Sequence, residues 1–223
     1  LGSLPNDYSS GNVVALSCEH NIALSGMRRR KLGILNPIPM FRLCKGLYES
    51  WPELRRHIES SRISLSKPKQ GGRFHRAFSP MYPPNSISEF RARCRLGKKY
   101  LLKTDITNYY NSIYTHSIAW ALNGKQESKI NRSESLLGNR LDRLIRDCQS
   151  QQTVGIPTGP DTSFLLSEIL LSAVDAKIMS KLGRIRDFYG FRYMDDYEFC
   201  FSNYNDSEIA LNQIDSALSE FEL

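Results

Sequence analysis

Apolar positions along the chain recur with two periods. Phe41, Leu43, Leu47, Tyr48, Trp51, Leu54 and Ile58 are spaced as on one helix face, and Pro52 breaks the run. The pattern predicts a helix pair whose stripe faces a core, with Trp51 as an anchor. Ile87 to Leu96 predicts a basic helix after the interruption at Pro80, Pro83 and Pro84. His116 to Leu122 reads as a short helix ended near Asn123-Gly124, and residues 134–149 as another, with Leu136, Leu137, Leu141, Leu144 and Ile145 on one stripe. From about Thr162 to Leu182 the chain is helical in pattern and densely apolar between Phe164 and Val174, which predicts burial beneath a sheet. Ser207 to Leu218 is amphipathic through Ile209, Leu211, Ile214 and Leu218, and 219–223 continue it. Strand signals fall at Tyr100 to Asp105 and at a hairpin over 188–202. A second hairpin is expected over Lys67 to Phe78, turned at Gly71-Gly72. Residues 4–26, rich in Ser, Asn and Gly, read as loosely structured, and 1–40 as a basic lead. Strand, helices, hairpin, helix is an α+β order, compatible with a ferredoxin-like split β-α-β unit.

Composition sharpens this picture in one respect. The chain of 223 residues is long enough for one large domain or two intimately packed subdomains. Its net charge of +7 is polarised: residues 1–104 hold 19 Lys+Arg against 6 Asp+Glu, and residues 105–223 hold 11 against 17, giving +13 and −6. A basic part joined to an acidic part suits a protein that grips a polyanion with one surface and holds cations with the other. Cys18, Cys44, Cys94, Cys148 and Cys200 have no Cys-x-x-Cys spacing, and His20, His57, His75 and His116 form no paired-ligand pattern, which argues against zinc. An odd cysteine count without a secretory leader leads us to expect a reducing, cytoplasmic setting, and no apolar run approaches the length of a membrane span. The absence of an initial Met leads us to expect a removed N-terminal segment.

The chemistry concentrates at Tyr193-Met194-Asp195-Asp196, between the aromatic-rich stretches Phe191-Arg192 and Tyr197 to Phe201. Adjacent carboxylates on a tight hairpin repel and raise each other's pKa unless a cation sits against them. Asp105 ends an apolar run upstream. If that strand lies beside the hairpin, three carboxylates converge, enough for two magnesium ions roughly 3.5–4 Å apart and in-line displacement at phosphorus. Gly155-Ile156-Pro157-Thr158-Gly159-Pro160 precedes the long apolar helix; Gly155 and Gly159 permit close backbone approach to a nucleotide or template, and Pro157 stiffens the loop. Lys69, Arg73 and Arg76 form a basic rim on the Gly71-Gly72 hairpin. Arg28-Arg29-Arg30-Lys31, and Arg91, Arg93 and Arg95, either track a nucleic-acid backbone or are solvated surface.

Asp105, the glycine-rich turn before a helix, and the Tyr-x-Asp-Asp hairpin, in this order, resemble the three signatures of the reverse transcriptase family. The resemblance covers roughly residues 40–223 and implies a right-hand polymerase fold, with fingers over 41–99 and palm over 100–223. The thumb of that family is absent from this chain, so a fragment is expected. It further implies that Asp105 and Asp195 bridge two Mg2+ ions, for which Mn2+ substitutes, that Asp196 completes the charge, and that the Ile106 carbonyl is an extra ligand. By the same resemblance Lys69, Arg73 and Arg76 neutralise the triphosphate, Tyr193 and Met194 border the primer end, and the Tyr110 ring excludes a 2′-hydroxyl; core packing of Tyr109 or Tyr110 is the alternative. The implied partners are deoxynucleoside triphosphates and an RNA or DNA template-primer, with a noncoding RNA, a second copy or an accessory defence protein in addition, and no membrane. Thr158 departs from the Gln that many members carry, and Pro160 from a smaller residue. This is similar to the abortive-infection, antiviral-defence type, some members of which synthesise DNA without a template. A retron or group II intron enzyme, and a catalytically silent binding module, are the alternatives.

Overall fold

The computed structural model describes residues 13–26, 28–72 and 74–223. Residue 73, one of the three cations expected on the basic hairpin, lies outside them, as do residues 1–12. No helix among the described residues is long and apolar enough to cross a membrane.

The segment expected to be loosely structured contains an antiparallel hairpin, β1 (Cys18–Ala23) with β2 (Arg29–Ile34), paired from Cys18 opposite Ile34 to Ala23 opposite Arg29. Over residues 18–34 the expected loose lead is a hairpin instead: the basic run is largely strand, with Lys31 paired to Glu19 at 2.8 Å and Arg29 Nε donating to Asn21 Oδ1 at 2.9 Å. Its pattern is not amphipathic because β1 is exposed along its whole length. Helix α1 (Pro37–Glu49) also starts before residue 41. The Asn36 side chain accepts the Ile38 amide at 3.0 Å, and proline in the first turn has no amide to leave unpaired. It ends at Ser50, and α2 (Trp51–Glu59) follows, so the expected helix pair forms with Pro52 in the first turn of its second helix.

Strands β3 (Pro68–Gln70) and β4 (Phe78–Pro80) make the expected basic hairpin, but 71–77 connect them as a longer loop, closed by the Gly71 amide on the Ala77 carbonyl. Helix α3 (Ile87–Arg95) leads to β5 (Tyr100–Asp105). Four helices come next: α4 (Tyr109–Ser112), α5 (Thr115–Asn123), α6 (Lys125–Ile130) and α7 (Leu137–Asp147). The long helix α8 (Asp161–Lys181) then gives way to β6 (Phe188–Tyr193), β7 (Asp196–Phe201) and α9 (Tyr204–Ser219).

Strands β5, β7 and β6 form an antiparallel sheet in that order. Side chains alternate between its faces. Tyr197, Phe199 and Phe201 of β7 join the main core on the α8 side, whereas Cys200 joins Phe191 in a smaller cluster with Ile87 and Cys94 of α3. Helix α8 is apolar on nearly every side, as a helix enclosed by others must be. One core runs from Leu35 to Phe221, so the stretches before and after residue 100 share it.

Candidate functional site

The register of β5 on β7 places Asp105 directly opposite Asp196, and β6 places Tyr193 opposite Asp196 as well. Directly opposed residues project from the same face, roughly 4.5–5.5 Å apart at Cβ. Met194 and Asp195 make the two-residue connection between β6 and β7. Met194 takes φ 55, the left-handed region that the first residue of such tight turns requires and that glycine or asparagine ordinarily fills. Burial raises the Asp195 pKa, and the neighbouring Asp196 and Asp105 charges raise it further. The hairpin therefore carries the electrostatic tension expected of its sequence. Among the described residues, no three His, Cys, Asp or Glu side chains are drawn together closely enough to form a ready-made ion cage. Asp105 is exposed and Ile106, whose carbonyl was expected to add a ligand, is buried in the core by its side chain.

What holds a methionine in this backbone conformation is a network that sequence reasoning missed. Both peptide groups of Met194 are anchored: its amide donates to Ser66 Oγ at 2.9 Å, and its carbonyl accepts Arg192 Nη1 at 2.8 Å. Arg192 is fully buried. Its guanidinium reaches two carboxylates of α8, with Nη1 to Glu168 Oε1 at 2.7 Å and Nη2 to Asp175 Oδ2 at 2.9 Å. Ser64 and Ser66 donate to Glu168 at 2.9 and 2.8 Å, and Ser61 and Tyr197 donate to Asp175 at 2.6 and 3.0 Å. Burial opposes the Glu168 charge, yet Arg192 and the two serines outweigh it and lower the pKa. The available signal was an arginine within an aromatic strand and two acids seven residues apart in an apolar helix, a spacing that returns to the same face.

Tyr110 sits close to this turn. Burial raises its pKa, and its ring packs against the main core and against Tyr109 at 5.4 Å. Tyr109 is core instead, its hydroxyl donating to the Ser167 carbonyl at 3.2 Å. Tyr193 is half-buried against the Phe191 cluster, and burial raises its pKa.

The glycine-rich loop packs against two other parts of the chain. Gly155 has φ 83, its amide donates to the Ile113 carbonyl at 2.8 Å, and a Cβ there would come within 3.2 Å of the Asn111 carbonyl. The close approach is thus to the end of α4. Pro157 packs on β2 so tightly that a Cβ on Gly33 would lie 2.5 Å from it, and the Gly33 amide donates to the Thr158 carbonyl at 2.9 Å. Gly159, at φ 116, faces Leu32. The N-terminal hairpin thus packs against Pro157, Thr158 and Gly159, while Gly155 packs against α4. The Ile156 amide still donates to the Tyr110 carbonyl at 2.7 Å, which fixes Tyr110 to the loop.

Of the expected cations, Lys69 is exposed on β3, whereas Arg76 pairs with Asp161 at the start of α8, Nε donating to Oδ1 at 2.9 Å. Arg76 is thereby committed to a carboxylate with which any phosphate must compete. Arg91 is likewise paired: its Nε lies 2.6 Å from Glu198, a carboxylate buried beside Cys94 and Cys200, and Arg93 pairs with Glu89.

No family model and no curated protein matches the chain. Solved structures do. Apo telomerase from Candida tropicalis truncated from its C-terminal domain aligns with TM-score 0.58 and 14% identity over 96% of this chain and 48% of that one. Apo telomerase from the same organism gives 0.59 and 13%, over 96% and 43%. Telomerase from Candida albicans, in complex with the TWJ fragment of telomeric RNA, gives 0.54 and 15%, over 98% and 41%. The chain spans less than half the length of these structures. Telomerase is a reverse transcriptase, so the likeness shows a reverse-transcriptase-like α+β fold, and at this identity it shows the fold alone.

Proposed function

We propose that the protein is a metal-dependent nucleotidyltransferase of reverse-transcriptase type that adds deoxynucleotides to a nucleic-acid or protein primer. The observation that carries this reading is the register: Asp105 opposite Asp196 at the end of a sheet, with Asp195 in the turn between β6 and β7. The raised Asp195 pKa marks a site where added positive charge is favourable, so the acidic oxygens fit a hard divalent cation such as Mg2+ or Mn2+. Asp105, Asp195 and Asp196 would hold it, with the Ile106 carbonyl beside them, and bound metal would supply charge stabilisation for phosphoryl transfer. Arg192, Glu168 and Ser66 keep the turn in place. Tyr110, whose carbonyl accepts the Ile156 amide, is the residue that would select against a 2′-hydroxyl, and Lys69, exposed on β3, is a cation for the triphosphate. In this reading α1–α3 and the β3–β4 hairpin are fingers and the three-stranded sheet with α8 and α9 is palm.

Thr158, whose carbonyl accepts the Gly33 amide of β2, supports placing the protein with the defence-associated enzymes. The test uses the full-length protein with Mg2+ and labelled deoxynucleotides, with and without an RNA primer-template, beside Asp195→Ala. Template-dependent extension lost in the variant supports a conventional reverse transcriptase. Label attached to protein without added nucleic acid supports protein-primed synthesis. No incorporation under any condition refutes the enzyme and leaves a silent binding module.

A further inference from the structure

Between the Asp105 strand and the glycine-rich loop, α5, α6 and α7 enclose a cavity of about 550 Å3 that the reading above does not use. This is the size of small-molecule and cofactor sites. Its charge is unusual for this half of the chain, which is acidic as a whole. Lys129, Arg132, Arg143 and Arg146 line it, against only Glu134 and Asp142. Both acids face cations: Glu134 pairs with Arg143 at 2.8 Å, and Asp142 Oδ2 accepts from His116 Nδ1 at 2.8 Å and from Arg146 at 3.3 Å. Lys129 and Arg132 have no carboxylate partner among the described residues.

His116 adds a directed polar group. Asp142, only 5% exposed, holds the ring through Nδ1, and His116 lines the cavity. An aromatic wall stands beside it. Tyr114 meets His116 edge-on at 4.8 Å and Trp120 at 5.6 Å, and Lys129 lies 5.5 Å from the Trp120 ring centre. Guanidinium forks, an ammonium and an imidazole around one space match the several oxygens of a phosphate ester better than the two of a carboxylate. The space also exceeds what a lone phosphate fills, and its remaining wall is aromatic.

We propose that this cavity is a second binding site, separate from the carboxylate hairpin, which takes the phosphate and part of the nucleoside of a nucleotide. The nucleotide is either free or one unit of a nucleic-acid strand. The proposal does not depend on polymerase activity.

Binding is measured by calorimetry on the full chain carrying Asp195→Ala, in EDTA, so that metal-held triphosphate at the hairpin contributes nothing. The probes are ADP, inorganic phosphate and a deoxythymidine decamer. In parallel, Trp51→Phe leaves Trp120 as the sole tryptophan, whose fluorescence reports occupancy. ADP or the decamer is expected to bind and to change Trp120 emission, with at least a tenfold loss of affinity in Lys129→Ala/Arg132→Ala, both exposed positions. Tighter binding of ADP identifies a free nucleotide, and tighter binding of the decamer a strand; each supports the site. Absence of binding by every probe, or affinity unchanged in the double variant, overturns it, and equal binding of inorganic phosphate and ADP overturns the nucleoside assignment. Loss of incorporation in the enzymatic assay moves none of these readouts.

Discussion

Arg192 is where a single side chain carries the most structure. A buried ion pair adds little to stability over an apolar replacement of the whole cluster, but removing one partner strands the other, which costs about 3–5 kcal/mol. Arg192→Met strands Glu168 and Asp175 together, so we expect a loss at the top of that range in urea unfolding. Arg192→Lys is expected to be intermediate, because an ammonium cannot serve both carboxylates and the Met194 carbonyl with a fixed fork. Ser66→Ala isolates the turn more finely. It removes the acceptor of the Met194 amide and one donor to Glu168, each a buried group whose loss costs about 1–3 kcal/mol. If the turn matters to metal binding, Ser66→Ala also raises the Mn2+ concentration needed for half-saturation by electron paramagnetic resonance; an unchanged titration with reduced stability would limit the cluster to a structural role. Tyr110→Ala, by contrast, is expected to admit ribonucleotides without weakening metal binding, measured as the ratio of ribo- to deoxynucleotide incorporation.

At the scale of elements, the sheet and the glycine loop are governed by glycines with no space beside them. A Cβ at Gly190 would lie 2.0 Å from the Phe199 ring, which the core encloses, so Gly190→Ala must displace an aromatic side chain and is expected to cost about 1–3 kcal/mol in chemical denaturation. Gly33→Ala meets Pro157 and should instead detach the β1–β2 hairpin locally, seen as faster hydrogen exchange at the Gly33 amide with little change in global stability. These cases also show why parts of the fold were legible. The helix over 162–182 and the hairpin over 188–202 declare themselves because period and burial coincide, and Asp105, Asp195 and Asp196 fall at strand ends that the same pattern marks. The β1–β2 hairpin has no such pattern, since what secures it is Pro157 and Thr158, more than 120 residues away. For the same reason the small residues of the glycine loop do not declare their contacts with Asn111, Gly33 and Leu32 in the sequence. Arg192 was hidden differently: its strand is aromatic, and nothing local says that its charge is answered from α8.

Across the whole molecule, two titratable groups that join layers, His57 and Glu168, respond to acid in one direction. His57 of α2 meets the Ile169 carbonyl of α8 at 2.9 Å, and Glu168 beside it joins α8 to the sheet through Arg192. Burial lowers the His57 pKa from its ordinary value near 6.5, so the unfolded chain takes up this proton before the folded one does. Its contribution is complete above pH 6.5 and falls as the pH drops through the folded value. Glu168 is likewise lowered from about 4.5, burial notwithstanding, so the stability it provides is present above that pH and lost below it. Thermal midpoints measured from pH 8 to pH 4 should therefore hold level at first, decline below about pH 6.5, and steepen below about pH 4.5. His57→Gln keeps an amide donor for the Ile169 carbonyl and has no proton to gain, so it should flatten the upper decline while leaving the lower one. An upper decline of the same slope in that variant would show that His57 is not its source. Loss of both stages in Arg192→Met would show that detaching the sheet from α8 unlinks the two titrations from global unfolding.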